Sequence, residues 1–141
     1  MPDIEKITEF LGRIPAVSGK VTAGDSRGRL LGFPTANIDI FERFVIPADG
    51  VYLGWVNIPQ LKTNLQAVIN IGSNPTFAGD KKWIEPYIID FNKNIYGRQI
   101  KVYFLKRLRD EILFASKEDL IKQIKKDLSF AKTYFNGVTK Q

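Results

Sequence analysis

Short runs of apolar and β-branched residues alternate with polar ones between residues 17 and 108. Alternation with a period of two is typical of half-buried strands. The segments between the runs are rich in Gly, Pro, Asn and Asp, which favour turns. The pattern predicts six strands, at residues 17–22, 35–40, 50–58, 65–71, 83–91 and 99–108.

These six predicted strands follow one another without an intervening helix. Such an order favours an antiparallel barrel or sandwich over a parallel βαβ sheet. The segment 70–77 is predicted to end a strand and to turn through Gly72 and Pro75, which are turn-forming residues. We therefore predict a mainly β fold, a closed six-stranded antiparallel Greek-key barrel.

A helical period of apolar positions occurs at each end of the chain. Residues 3–11 carry apolar side chains at 4, 7, 10 and 11, and Gly12 would end this short helix. Near the C-terminus, Ser116 is a good N-cap, and Asn136 with Gly137 is predicted to end the helix. Its predicted apolar face consists of Leu120, Ile121, Ile124, Leu128, Ala131 and Phe135. We predict residues 1–12 to be a helix or linker and 13–141 to be one barrel domain with its C-terminal helix.

The composition of the 141 residues narrows the chemistry. The chain has no Cys and no His, which excludes thiolate nucleophiles, imidazole bases and zinc sites built from those residues. Phosphoryl transfer remains possible, because it depends on positioning and electrostatics. The net charge of +6 is compatible with a polyphosphate ligand, although most lysines of the last quarter fit a solvated helix face. No apolar run is long enough to span a membrane and no signal core is evident, so we expect a cytoplasmic protein.

The segment 24–37 is too polar and too rich in glycine to be a strand throughout. Its glycines allow backbone N–H groups to turn toward an anion, although a simple surface turn is the alternative. Pro34 favours an extended chain after the loop, which differs from the helix that follows a P-loop or a Rossmann fingerprint. In a strand, Thr35 and Asn37 share one face, and their oxygens could bind Mg²⁺ or orient a phosphate.

Two further charged residues are candidates for chemistry. Glu85 lies in an otherwise apolar strand, with Trp83 and Tyr87 on the same predicted face, so it is either an exposed-face residue or a placed carboxylate. Arg109 could contact a phosphoryl group or a flat ring, or could pair with neighbouring acids.

The segment 24–37, with its Gly-Phe-Pro-Thr-Ala-Asn core, resembles the signature of the riboflavin kinase family. In that family the kinase occurs alone or as the C-terminal half of bifunctional bacterial FAD synthetases. Further segments resemble family blocks in the same order, and the similarity covers roughly residues 12 to 136. These segments are 47–52, 70–77, 84–85, 96–97 and 108–111 with Phe114.

The resemblance implies a Greek-key barrel that transfers a phosphoryl group from ATP to riboflavin, giving FMN and ADP. Glu85 would be the general base, Thr35 and Asn37 would hold Mg²⁺, and Asn37 and Arg109 would contribute to catalysis. Asn70 and Thr76 would border the active site. The loop over the ATP phosphates would include Gly24, Arg27, Gly28, Arg29, Gly32 and Pro34.

Two implications of the resemblance concern variation within the family. Many relatives have His at the position of Tyr87, so ligand affinity or pH dependence could differ here. A covalently linked upstream FMN adenylyltransferase domain is a possible partner, and helix 3–11 is then either a packing cap or the end of a linker.

Two other functions remain compatible with the residues. A basic, OB-like β-barrel that binds single-stranded nucleic acid would explain the charge and the aromatic residues. A flavin-binding barrel without catalysis would explain the family motifs. We predict the kinase, with no nucleic-acid and no membrane partner.

Overall fold

The computed structural model describes most of the chain. The described residues are 15–22, 37–40, 46–61, 63–76, 79–91, 93 and 95–139. The predicted helix at 3–11 and the glycine-rich segment up to residue 36 lie outside them. The elements are β1 (Ala16–Thr22), β2 (Asn37–Ile40), β3 (Gly50–Ile58), a 3₁₀ turn (Pro59–Leu61), β4 (Thr63–Thr76), β5 (Gly79–Ile88), β6 (Gln99–Arg109) and α1 (Lys117–Thr139).

The strands form one antiparallel sheet in the order β2-β1-β6-β3-β4-β5. Strand β6 lies between β1 and β3, so the sheet is not a simple meander. Its two outermost strands, β2 and β5, approach each other within 8 Å between Cα atoms. The predicted mainly β, antiparallel architecture is confirmed.

One face of the sheet forms the main hydrophobic core. On β4 the inward positions are Ala67, Ile69 and Ile71, and on β5 they are Ile84 and Ile88. They alternate with outward positions because successive side chains of a strand point to opposite faces. Tyr52 and Phe104 meet edge to face in this core, with ring centroids 5.5 Å apart.

Helix α1 covers part of the opposite, outer face. Ala131 and Phe135 are fully buried there against Val51, Leu53 and neighbouring apolar residues. The predicted apolar face of the helix is thus confirmed at its C-terminal half. The predicted N-cap is also confirmed, because the backbone N–H of Asp119 donates to Ser116 Oγ at 3.2 Å.

Strand β6 contains two irregularities opposite β3. Val51 pairs with Arg109 but Tyr52 pairs with Arg107, and a second shift follows between Leu53 and Gly54. Each shift places an additional residue in β6, which is the definition of a β-bulge. Arg107 therefore lies opposite Tyr52 of the main core, whereas Arg109 lies opposite Val51 on the outer face.

The structure corrects several predicted boundaries. Strand β5 spans Gly79–Ile88, whereas residues 83–91 were predicted. Strand β4 continues through Gly72 and Pro75 to Thr76, instead of turning at these residues, because β5 pairs with it as far as the Thr76–Gly79 pair. Helix α1 continues past Gly137 to Thr139. An exposed glycine inside a helix costs only about 1 kcal/mol, which is too little to end a helix of this length by itself.

Candidate functional site

The register of the sheet aligns three of the predicted site residues. Glu85 on β5 lies directly opposite Asn70 on β4, Asn70 lies opposite Val51 on β3, and Val51 lies opposite Arg109 on β6. We call these four residues the cross-strand row. Neighbouring strands are about 4.8 Å apart, so the row extends over roughly 15 Å of the outer face.

Glu85 occupies the middle of β5, with Trp83 and Tyr87 two residues away on either side. The inward positions of β5 are Ile84 and Ile88, which confirms that Trp83, Glu85 and Tyr87 share the outer face. All three are half-buried. Burial, together with the charge of Asp90, raises the pKa of the Tyr87 phenol above its usual value. Tyr87 therefore stays protonated at neutral pH, where histidine would titrate.

Asn70 is the cross-strand neighbour of Glu85, and its side-chain oxygen is in an unusual state. Asn70 Oδ1 is shielded from solvent and has no hydrogen-bond partner in the described structure. Leaving a buried acceptor unsatisfied costs about 1–3 kcal/mol, so such atoms are uncommon. The free acceptor lies in the same pair as the predicted base.

Arg109, at the other end of the row, is held by the helix. Its Nε donates to Asp127 Oδ1 at 3.0 Å, and its Nη2 lies 2.7 Å from Asp127 Oδ2. Gln123 Nε2 donates to the same carboxylate at 3.0 Å, and Arg109 Nη1 donates to the carbonyl of Asp110. We call Arg109, Asp127 and Gln123 the arginine clamp. The carboxylate partner of Arg109 is thus Asp127 on the helix, whereas the pairing alternative named the acids next to Arg109 in the sequence. A contact between Arg109 and a phosphoryl group stays a prediction.

Asp127 was not among the residues singled out from the sequence. It is buried, with 6% of its surface exposed, on the helix face that packs against the sheet. The sequence does contain a signal, because Asp127 lies three residues after Ile124 and four before Ala131 on the apolar face. An acid in such a position is expected to have a cationic partner.

A groove of about 830 Å³ lies between residues 112–115 and the N-terminal half of α1. One side is apolar, and its Leu113 side chain is 93% exposed. The other side carries the amide of Gln123 and three lysines of the helix, Lys122, Lys125 and Lys126. Because Gln123 also belongs to the arginine clamp, the groove lies next to one end of the cross-strand row.

The segment before β3 is tied to three strands through Asp49. Its Oδ1 accepts hydrogen bonds from Ser73 Oγ at 2.9 Å and Lys82 Nζ at 3.0 Å. Its backbone carbonyl accepts one from Arg107 Nη2, also at 2.9 Å. Asp49 enters the sequence analysis only as a member of segment 47–52, which resembles a family block. These contacts fix the start of β3, one residue before Val51 of the row.

The other predicted site residues are placed only partly. Gly24, Arg27, Gly28, Arg29, Gly32, Pro34 and Thr35 lie outside the described residues. Asn37 begins β2 and pairs with Thr22, and Thr76 ends β4. Within the described ranges, no three acidic residues are grouped so that they could hold a metal ion. No helix in that same part of the chain is long and apolar enough to cross a membrane.

The indole ring of Trp83 lies against Gly72 on the outer face, and a substitution at Gly72 tests this contact. A Cβ at residue 72 would be 2.0 Å from the ring, so Gly72→Ala must displace Trp83. We expect Gly72→Ala to lower the free energy of unfolding by about 1–3 kcal/mol and to shift the tryptophan fluorescence. Urea unfolding followed by fluorescence measures both.

Gly137→Ala is the matched control. No atom of the described structure lies within 4 Å of its would-be Cβ, and alanine is the better helix former. This change should raise stability by about 0.5–1 kcal/mol. A Gly72→Ala protein as stable as the parent, with an unchanged emission spectrum, would show that the indole is not seated there.

Comparisons with known proteins agree with the fold and with the sequence motifs. Residues 11–135 match the family model described as Flavokinase, riboflavin kinase. The bifunctional riboflavin kinase/FMN adenylyltransferase of Haemophilus influenzae is 39% identical over 135 residues, which are 96% of this chain and 43% of the relative. The Bacillus subtilis protein of the same name is 37% identical over 141 residues, 98% of this chain and 44% of that protein. The chain thus spans less than half the length of these relatives.

Two solved structures are also similar. Riboflavin kinase from Trypanosoma brucei superposes with a TM-score of 0.64 at 27% identity, over 87% of this chain and 81% of that one. A Streptococcus pneumoniae protein solved under the name macrolide-efflux protein superposes with a TM-score of 0.84 at 37% identity, over 92% of this chain and 42% of that one. Because the family model covers nearly the whole sequence, the resemblance noted in the motifs is confirmed, and the chain belongs to the riboflavin kinase family.

Proposed function

We propose that this chain phosphorylates riboflavin, transferring the γ-phosphoryl group of ATP to the 5′-hydroxyl to give FMN and ADP. Family membership over residues 11–135 supports the reaction. The observation that carries the assignment to this site is the cross-strand row, in which Glu85 is half-buried opposite an unsatisfied amide oxygen. An exposed-face glutamate with only structural contacts would not need such a neighbour.

We infer direct in-line transfer from ATP to the 5′-hydroxyl, because phosphoryl transfer in kinases depends on positioning and electrostatics and needs no covalent enzyme intermediate. The Glu85 carboxylate orients the 5′-hydroxyl and accepts its proton as the oxygen attacks the γ-phosphorus and ADP leaves. Because the transition state of phosphoryl transfer is loose, the proton moves late. Alignment of the hydroxyl by Glu85 therefore matters more than a raised pKa of its carboxyl group.

Mg²⁺ fits the donor types that this proposal places around the phosphates. A hydroxyl at Thr35 and an amide oxygen at Asn37 are hard oxygen donors, which Mg²⁺ prefers, and phosphates and water complete its shell. When bound, the ion neutralises charge on the phosphate oxygens. The glycine-rich segment with Gly24, Arg27, Gly28, Arg29, Gly32 and Pro34 would cover those phosphates, and Thr76 would border them.

The groove beside α1 suits the flavin ring. Its volume of about 830 Å³ lies within the usual range of ligand pockets, and its apolar side offers a surface for a flat ring. The amide of Gln123 and the helix lysines could bind the polar edge of that ring. A ring in this groove would direct the ribityl chain toward the part of the outer face that carries Glu85. Arg109, at the groove end of the cross-strand row, would then lie near the flavin ring.

We also infer that the sheet closes as a staggered Greek-key barrel, with β2 beside β5. Ser18 of β1 and Asn64 of β4 lie in one row across the sheet, because the pairings between the strands connect them. Thr22 lies four residues from this row along β1. Asn70 lies six residues from it along β4, in the opposite direction. The Thr22–Asn37 pair is therefore about ten residues, or about 33 Å along the strands, from the row of Glu85. Barrels close with a stagger, which can bring such distant rows together.

A closed barrel would thus place position 37 next to position 85. With Mn²⁺ and ADP bound, we expect paramagnetic broadening of the backbone amide NMR signals of residues 37 and 38 together with those of residues 84, 85 and 87. The signal of Asn64, in the row between them, is the internal control. Broadening at residues 37 and 38 that leaves residues 84, 85 and 87 sharp would contradict the closed barrel.

The unit that carries the activity is proposed to be residues 13–141, with 1–12 as a helix or linker. The bifunctional names of the relatives support a linked FMN adenylyltransferase domain in the whole protein. Limited proteolysis that cleaves near residue 12 and leaves FMN formation intact would support this division. Loss of activity on that cleavage would contradict it.

The direct test of the function is incubation with riboflavin, ATP and Mg²⁺, followed by chromatography of the flavins. We expect FMN without FAD, and no FMN once the metal is chelated. Tight riboflavin binding without FMN formation would overturn the kinase and support a flavin-binding protein. If neither binding nor turnover occurred, salt-sensitive binding of oligonucleotides would support the nucleic-acid alternative.

A further inference from the structure

We propose that Asn70 recognises the hydroxyl next to the one that is phosphorylated, the 4′-hydroxyl of the ribityl chain. This inference rests on the proposed function, since it takes Glu85 as the group that holds the 5′-hydroxyl. The juxtaposition that carries it is a carboxylate and an unsatisfied amide oxygen in one cross-strand pair.

The spacing of this pair suits a vicinal diol. Residues directly opposite each other in an antiparallel pair have Cβ atoms about 4.5–5.5 Å apart and side chains on the same face. Both Glu85 and Asn70 can present an oxygen acceptor. Two hydroxyls on adjacent carbons can therefore each donate to one of these two acceptors. A single hydroxyl held by Glu85 would leave Asn70 Oδ1 without a donor.

The state of Asn70 Oδ1 indicates that its donor comes from outside the described structure. The oxygen is shielded from water and has no hydrogen-bond partner there, while Asn70 as a whole is only half-buried. The χ2 torsion of asparagine is soft, so a small rotation of the amide can turn the oxygen toward the open side. A hydroxyl bound there would remove the cost of the unsatisfied acceptor.

The surroundings of Asn70 restrict other donors. Its neighbours along the outer face of β4 are Val68 and Gly72, which have no polar side-chain atom, and Gly72 is covered by the Trp83 ring. Across the ladder to β3 lies Val51, which is also apolar. The polar partner of Asn70 in the ladders is thus Glu85, the group assigned to the 5′-hydroxyl.

The test measures discrimination between riboflavin and 4′-deoxyriboflavin as the ratio of their kcat/KM values. We expect the unmodified protein to prefer riboflavin by about tenfold to a hundredfold, because the analogue leaves Oδ1 without a donor. Valine is chosen as the replacement because it is favourable in a strand. In the Asn70→Val variant, this ratio should fall to about one. Most of the fall should come from lost activity on riboflavin.

The ratio is measured within each variant, so it does not depend on the fraction of molecules that fold. Asn70→Ser serves if Asn70→Val is poorly folded, and it should keep an intermediate ratio because a hydroxyl can still accept. Asn64→Val is the matched control on the same strand. Asn64 is exposed and accepts a hydrogen bond from Asn57, so its replacement should leave the discrimination unchanged.

The remaining outcomes separate this inference from the proposed function. If riboflavin is phosphorylated but Asn70→Val keeps the full discrimination, or loses activity equally on both flavins, the role of Asn70 is overturned and the kinase stands. If Asn70→Val instead changes the preference for ATP over 2′-deoxy-ATP, the diol belongs to the nucleotide and the inference is also overturned. If the unmodified protein does not phosphorylate riboflavin, both proposals fall.

Discussion

Replacing Glu85 with glutamine should lower kcat for FMN formation by about 10²- to 10⁴-fold, the usual contribution of a general base. Glutamine keeps the size of the side chain but cannot accept the proton of the 5′-hydroxyl. The half-buried position on the outer face of β5 should tolerate the neutral amide, so the fold should persist. Steady-state kinetics with riboflavin and MgATP, together with ADP binding by calorimetry, measures the effect.

A control variant and a measurement of ADP binding show whether Glu85 acts on the hydroxyl of riboflavin. Glu118 is exposed in the first turn of α1, so the control variant Glu118→Gln should have nearly normal turnover. In Glu85→Gln, ADP should bind within a few-fold of the parent, because the base acts on the hydroxyl. Unchanged turnover would remove Glu85 from the mechanism. A loss of ADP binding as large as the loss of turnover would move it to nucleotide binding.

Asp127→Asn should lower the free energy of unfolding by on the order of 3 kcal/mol, because it leaves the Arg109 guanidinium without its counter-charge. Only 7% of the Asp127 side chain and 19% of the Arg109 side chain are exposed, so water can replace the carboxylate only poorly. Two further hydrogen bonds to Asp127 lose their charged acceptor. Urea unfolding, with the midpoint and slope both fitted, measures the change.

Two comparison variants show whether the effect comes from the charge pair. Asp110→Asn removes an acid that is 85% exposed and pairs with Arg107, and it should cost no more than about 1 kcal/mol. The double variant Arg109→Leu with Asp127→Leu should recover much of the loss, because no unpaired charge stays buried. If the double variant lost as much stability as Arg109→Leu and Asp127→Leu lose together when each is measured alone, the pair would contribute no coupling.

The sequence predicted those structural features that depend on residues close to one another along the chain. The alternation around Glu85 placed Trp83, Glu85 and Tyr87 on one face, and Ser116 was identified as the helix cap. It could not predict the register between strands, because the row from Glu85 to Arg109 depends on pairings between residues 15, 19 and 58 positions apart in the chain. The continuation of β4 through Gly72 had the same cause. There, pairing with β5 and the cover of Trp83 outweighed the turn preference of the residues.

Asp127 shows a second limit of sequence reasoning. Its position on the apolar face of α1 indicated that it needs a partner, but nothing along the chain named Arg109, eighteen residues earlier. The pair forms because the helix packs on the outer face at the end of the cross-strand row. For Asn70, the motif predicted proximity to the site, and only the structure revealed its unsatisfied oxygen.

The bulge in β6 opposite Val51 and Tyr52 has a consequence for how this family can evolve. In a regular strand, Arg107 and Arg109 would share a face. The additional residue lets Arg107 contact Asp49 and Tyr52 on one side while Arg109 reaches Asp127 on the other. Substitutions in this stretch can accumulate one at a time, but the gain or loss of a single residue would exchange the partners of both arginines at once. Natural selection should therefore preserve the number of residues between Phe104 and Arg109 more strictly than it preserves the amino-acid types at most of those positions.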